Sequence, residues 1–87
     1  MKKIYESDLC GWDERAEQII IYELEEGEYE ELSLEMDRDG GGEQLLNSLG
    51  YYSDWYPVPE GAPYVQYYIE NITTHHLIIS EYHSLNV

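Results

Sequence analysis

From residue 4 onward this chain has two basic residues, Arg15 and Arg38, to set against nineteen carboxylates. Whatever it folds into must keep those carboxylates in water and build its core from what is left. With Lys2 and Lys3 included, the formal net charge is −15 over 87 residues. Self-repulsion on that scale works against compaction, and a chain poor in apolar residues would stay disordered under it. Here 43% of residues are hydrophobic, near the usual share for a globular domain, so the chain is expected to fold. The aromatic supply is skewed to ten Tyr and two Trp with no Phe. Tyrosines and Trp55 are therefore candidates both for core positions and for an interface.

Residues 1–87 are expected to form a single acidic globular domain. A domain of this length has a radius of gyration of roughly 12 Å. That suits one modest core and leaves little room for a deep substrate cavity with a separate cofactor site. The single cysteine, Cys10, excludes an internal disulfide. No apolar stretch approaches the ~18 residues of a membrane span. Lys2 and Lys3 lead into Glu6 and Asp8 and not into an apolar run, which does not read as a signal peptide. The cytoplasm is the expected location, with no membrane partner.

Residues 2–9 read as a weak strand, and a short helical turn at 13–17 is an option. Residues 18–25 and 29–36 read as an antiparallel hairpin around Glu26-Gly27-Glu28, whose glycine can take positive φ. That register pairs Tyr22 with Leu32, Ile20 with Leu34 and Glu23 with Glu31. It gives one apolar and one acidic face. Asp39 and the three glycines after it read as a flexible connection. Glu43 to Leu49 reads as a short helix with Gly50 as its C-terminal glycine. Residues 51–63 read as an aromatic loop set by Pro57, Pro59 and Pro63. Residues 64–70 and 76–83 read as a second hairpin around Asn71-Ile72-Thr73-Thr74. The expected fold class is α+β, an antiparallel sheet built from two β-hairpins with one short helix packed on it.

The densest feature is a run of eight carboxylates: Glu23, Glu25, Glu26, Glu28, Glu30, Glu31, Glu35 and Asp37. No lysine or arginine lies within it, whereas a merely solvated face mixes both signs. Solubility needs a net charge of only about 2–8 on a small domain. The surplus points to a basic partner surface. Adaptation to high salt is the competing explanation, but the excess is carried by Glu over Asp, 14 against 5. B-DNA carries one charge per ~1.7 Å, so a length of ~30 Å holds roughly 18, similar to this chain's surplus. The segment Asp54-Trp55-Tyr56 adds candidate aromatic anchors, because Tyr and Trp combine apolar area with a polar handle. Direct nucleic-acid binding fails, since nothing basic is interleaved with the aromatics to hold phosphates.

Other constellations carry less. Asp37-Arg38-Asp39-Gly40-Gly41-Gly42-Glu43 resembles the start of a calcium loop, but Gly41 and Ser48 stand at its fifth and twelfth positions, where an Asp or Asn and a Glu belong. His75, His76 and His83 match no zinc spacing. No phosphate loop, nucleophile elbow or metal motif appears. The chain is expected to act without catalysis, metal or cofactor.

In its length, its Glu23–Asp37 array and its lack of lysine after residue 3, the chain resembles phage-encoded anti-CRISPR and anti-restriction inhibitors that mimic DNA. The resemblance implies a non-enzymatic inhibitor. Its target would be the basic nucleic-acid-binding surface of a host defence complex, a CRISPR effector or restriction enzyme, with carboxylates presented in place of phosphates. Immunity proteins that neutralise nuclease toxins share the same physical features and are the first alternative. A small-ligand or metal-binding domain is the second.

Overall fold

The computed structural model describes residues 1–7, 15–53 and 59–85. Four strands and two helices follow one another as β1 (Lys2–Glu6), β2 (Arg15–Glu23), α1 (Glu28–Met36), α2 (Gly41–Ser48), β3 (Pro63–Ile72) and β4 (His76–Leu85). The strands form one sheet in the order β1-β2-β4-β3, with every neighbouring pair antiparallel. The fold class is α+β, as expected: an antiparallel sheet of two strand pairs with helices packed against it. Strands β2 and β3 run parallel with β4 between them. A crossover must therefore connect them, and α1 and α2 lie in that crossover.

The central strands are where β-branched residues concentrate. Ile19-Ile20-Ile21 in β2 pairs with Ser80-Ile79-Ile78 in β4. Residues on alternate sides of the pleat divide the sheet. Ile20, Tyr22, Leu77 and Ile79 face the helices and join Leu24, Leu32, Leu45 and Leu46 in a buried core. Burying aliphatic side chains of this size stabilises by roughly 1.5–3 kcal/mol each. Tyrosines fill the places phenylalanine would take, and their hydroxyls find partners. The Tyr22 and Tyr51 hydroxyls share a 2.7 Å hydrogen bond, and the Tyr67 hydroxyl donates to Glu81 at 3.1 Å. Burial, then the bond to Tyr51, pushes the Tyr22 phenol up to about 12, so it stays neutral at physiological pH.

Two expectations about local structure are corrected. Residues 29–36 are not the second strand of a hairpin with 18–25; they lie in α1. The segment contains no Val, Ile or Thr, and Glu, Leu and Met are helix formers. Glu28, Glu30 and Glu31 fall in the first turn, where the helix dipole favours negative charge. Gly27, at φ 88°, turns the chain out of β2 into the helix. The strand that pairs with β2 on that side is β1, with Lys2 opposite Glu23 and Glu6 opposite Ile20. Residues 15–17, weighed as a helical turn, belong to β2; residues 8–9 and 13–14 of the expected elements lie outside the described residues.

The second hairpin is found where it was expected, as β3 and β4. The expected helix at 43–49 is α2, which starts earlier, at Gly41. Gly50 ends it as predicted. At φ 91° it donates to Asn47 O at 3.0 Å, and Tyr51 N donates to Leu46 O at 2.9 Å. This pair of bonds closes the last turn in a Schellman arrangement.

Candidate acidic interface

The eight carboxylates singled out in the sequence lie on one continuous stretch of chain, but on a helix and its approaches. Glu23 closes β2; it faces Lys2 on one side and His76 on the other, not Glu31. Like-charge opposition across strands, expected from the hairpin register, does not occur there. Glu25 and Glu26 are exposed in the turn before α1. Glu30 and Glu31 are exposed on the first turn of α1, and Asp37 is exposed at its C-terminus. Asp54, Trp55 and Tyr56 lie outside the described residues.

Two members of the array are partly neutralised. Glu35 sits 3.5 Å from the Arg38 guanidinium. Glu28 is half-buried; its carboxylate accepts the Glu25 backbone N–H at 2.7 Å and lies 3.0 Å from the Met1 amino group. The backbone hydrogen bond first, and the amine second, hold the Glu28 carboxyl below its ordinary value of 4.5. The bond to Glu28 in turn raises the amine above 8.0. A lowered carboxyl pKa stabilises the fold above 4.5 and loses that contribution as pH falls through the folded value. A raised amine pKa stabilises below 8.0 and loses its share as pH rises. Glu28→Gln is therefore expected to lower the melting temperature most between those two values. Melts across pH check this: an offset from wild type as large at pH about 3 as at pH about 7 would contradict it.

Charge density along α1 can be set against that of nucleic acid. Glu28, Glu30, Glu31, Glu35 and Asp37 lie along about 13.5 Å of axis at ~1.5 Å per residue. That is one carboxylate per about 2.7 Å, or per about 3.5 Å if only the unpaired Glu30, Glu31 and Asp37 count, which span about 10.5 Å. One strand of B-DNA carries a charge per ~3.4 Å, which falls between these values. Along its axis α1 thus carries carboxylates at a density comparable with a single phosphate strand, set on two stripes, with Glu28, Glu31 and Glu35 on one and Glu30 and Asp37 on the other.

One feature of this surface departs from the pattern expected of the sequence. Leu34, expected on an apolar sheet face opposite Ile20, is 65% exposed on α1. It lies four residues after Glu30 and three before Asp37, so the three share one stripe of the helix. Helical spacing would have found it, had the segment been read as a helix. Other chemistry finds less support. Among the described residues, no three His, Cys, Asp or Glu side chains are grouped to hold a metal. The stretch from Asp37 is not a calcium loop, because α2 begins at Gly41. A groove of 260 Å³ between α2 and β3, lined in part by Met36, Leu46, Tyr51 and Tyr67, has Glu43 as its one charged wall among the described residues. Compared with protein families, with curated proteins and with solved structures, the chain matches none.

Proposed function

We propose that this protein is a non-enzymatic inhibitor that occupies the basic nucleic-acid-binding surface of another protein, a host defence nuclease complex of the CRISPR or restriction type. Carboxylates of α1 and its approaches stand in for phosphates. The observation that supports this reading is the acidic α1 segment, with Glu30, Glu31 and Asp37 exposed, whose charge per length of axis is comparable with one nucleic-acid strand. The −15 net charge steers a basic partner toward it. Leu34 supplies apolar contact within the row, and it is contact of this kind that slows dissociation.

The test begins with affinity capture from host lysate and identification of what is retained. Duplex DNA is then titrated against the captured complex. The expected result is a nucleic-acid-binding complex released competitively by DNA, with affinity falling as salt rises. A toxin nuclease in its place would select the immunity-protein reading. A captured protein whose DNA binding is undisturbed would overturn the proposal.

A further inference from the structure

One face of the sheet carries the helices; the other carries an apolar surface that no described element covers. Its residues alternate with those of the core: Tyr5, Ile19, Ile21, Tyr68 and Ile78. Tyr5 and Tyr68 are 51% and 47% exposed, and the three isoleucines are half-buried. The Tyr68 and Tyr82 rings meet edge-to-face at 5.4 Å. Ser80, at the centre, is fully buried and donates its hydroxyl to Glu70. A sheet face left to water normally alternates to polar residues. This one places three isoleucines in the two central strands.

We infer that this face is a self-association surface, and that its occupant is the same face of a second copy of this chain. Charge selects the occupant. The carboxylate row lies on α1, in the opposite layer, so a basic partner is drawn to that side. On the open face, Glu70 is held by Ser80, Glu23 lies at one end beside Lys2 and His76, and at the other end Glu17 and Arg15 stand opposite Tyr82 and Ser84 in the register. Sheet-to-sheet packing of two copies keeps both α1 rows outermost. Each layer adds roughly 10 Å, so the rows stand ~30 Å apart. That exceeds three screening lengths at physiological salt, which are ~8 Å each.

Area sets the strength. Strands of 9–10 residues run ~30 Å, and strands lie ~4.8 Å apart. With the shorter β1 included, the face covers roughly 500 Å² in projection. Two copies bury upwards of about 1,000 Å², near the lower bound for a specific interface. A weak, concentration-dependent dimer is therefore expected, with a Kd on the order of micromolar.

Salt separates this association from binding to a basic partner, because the sign is opposite. Screening relieves repulsion between two acidic bodies, so dimerisation should tighten about tenfold or more between about 20 mM and 500 mM salt. Sedimentation equilibrium on the full chain reads this directly. Tyr68→Glu, on an exposed edge-strand position, should weaken the dimer about a hundredfold while leaving the circular dichroism unchanged. Ile78→Thr keeps the strand preference and should weaken it about tenfold. Leu34→Lys, in the other layer, should leave dimerisation unweakened. A wild-type chain that stays monomeric at about 500 μM in high salt would overturn the inference. So would a dimer that withstands Tyr68→Glu or is broken by Leu34→Lys. A monomeric wild type whose captured partner is lost in Tyr68→Glu would assign the face to that partner instead.

Discussion

Alanine at Gly41 is expected to cost this fold more than about 3 kcal/mol, while alanine at Gly42 should be neutral or stabilise it by up to about 1 kcal/mol. The two positions are adjacent, and both lie in α2. A Cβ at Gly41 would stand 1.7 Å from the Glu35 carbonyl oxygen and 2.7 Å from its carbon. Both are backbone atoms of α1, so neither can swing aside; the two helices would have to part. A Cβ at Gly42 meets only the Met36 sulfur and methyl at 3.5 Å, the far end of an adaptable side chain. It would gain from the better helix propensity of alanine. Gly40 adds a third case: at φ 73° it has open space but a left-handed backbone, and alanine there should cost about 1–2 kcal/mol. Urea denaturation of the three variants measures these differences. Small domains have only about 5–15 kcal/mol to lose. If Gly41→Ala unfolds within about 1 kcal/mol of wild type, the close α1–α2 junction is not as described.

That junction shows what the sequence could and could not convey. Three consecutive glycines read as a flexible link, since glycine marks freedom and close approach alike. Only the packed structure gives Gly40 a left-handed turn, Gly41 a backbone contact and Gly42 a place in a helix. The β3–β4 hairpin was legible because its cues are local: Ile69, Ile72, Leu77, Ile78 and Ile79 flank a turn in which Thr73 Oγ1 accepts the His75 and His76 N–H groups. Gly50 was legible for the same reason, as one residue type at a helix end.

The segment after Gly27 is ambiguous in sequence because two periods coincide in it. Leu32, Leu34 and Met36 alternate as in a strand, while Tyr29 and Leu32 are spaced as in a helix. Burial separates them: Leu32 is 8% exposed and Leu34 65%. The absence of β-branched residues was the available signal. Pairing was harder to foresee. That Lys2 meets Glu23, and Ile20 meets Ile79, depends on contacts far apart in sequence, which no local pattern records. The acidic residues themselves were identifiable from composition, because charge density survives an error in secondary structure. Their arrangement, and Leu34 among them, was not.

The helical arrangement changes what charge reversal should do. Glu30→Lys with Glu31→Lys is expected to slow association with the captured basic partner by at least about tenfold at low salt. Dissociation should change much less, because both side chains are exposed and steer encounter more than they anchor it. The difference should shrink as salt shortens the screening length from ~30 Å at 0.01 M to ~3 Å at 1 M. In a hairpin with Glu31 opposite Glu23, this reversal would relieve repulsion and strengthen the fold. On α1 it replaces favourable negative charge in the first turn with positive charge. A small loss of stability follows instead, up to about 1 kcal/mol per residue. Leu34→Ala acts on the other rate. It should speed dissociation several-fold and leave stability within about 0.5 kcal/mol, since little of Leu34 is buried. Stopped-flow or surface-binding kinetics on the three proteins, with melts alongside, separate the two effects. If the lysine variant stays folded and associates at the wild-type rate across the salt range, the acidic row on α1 is a solvated surface and the proposed mode of inhibition fails.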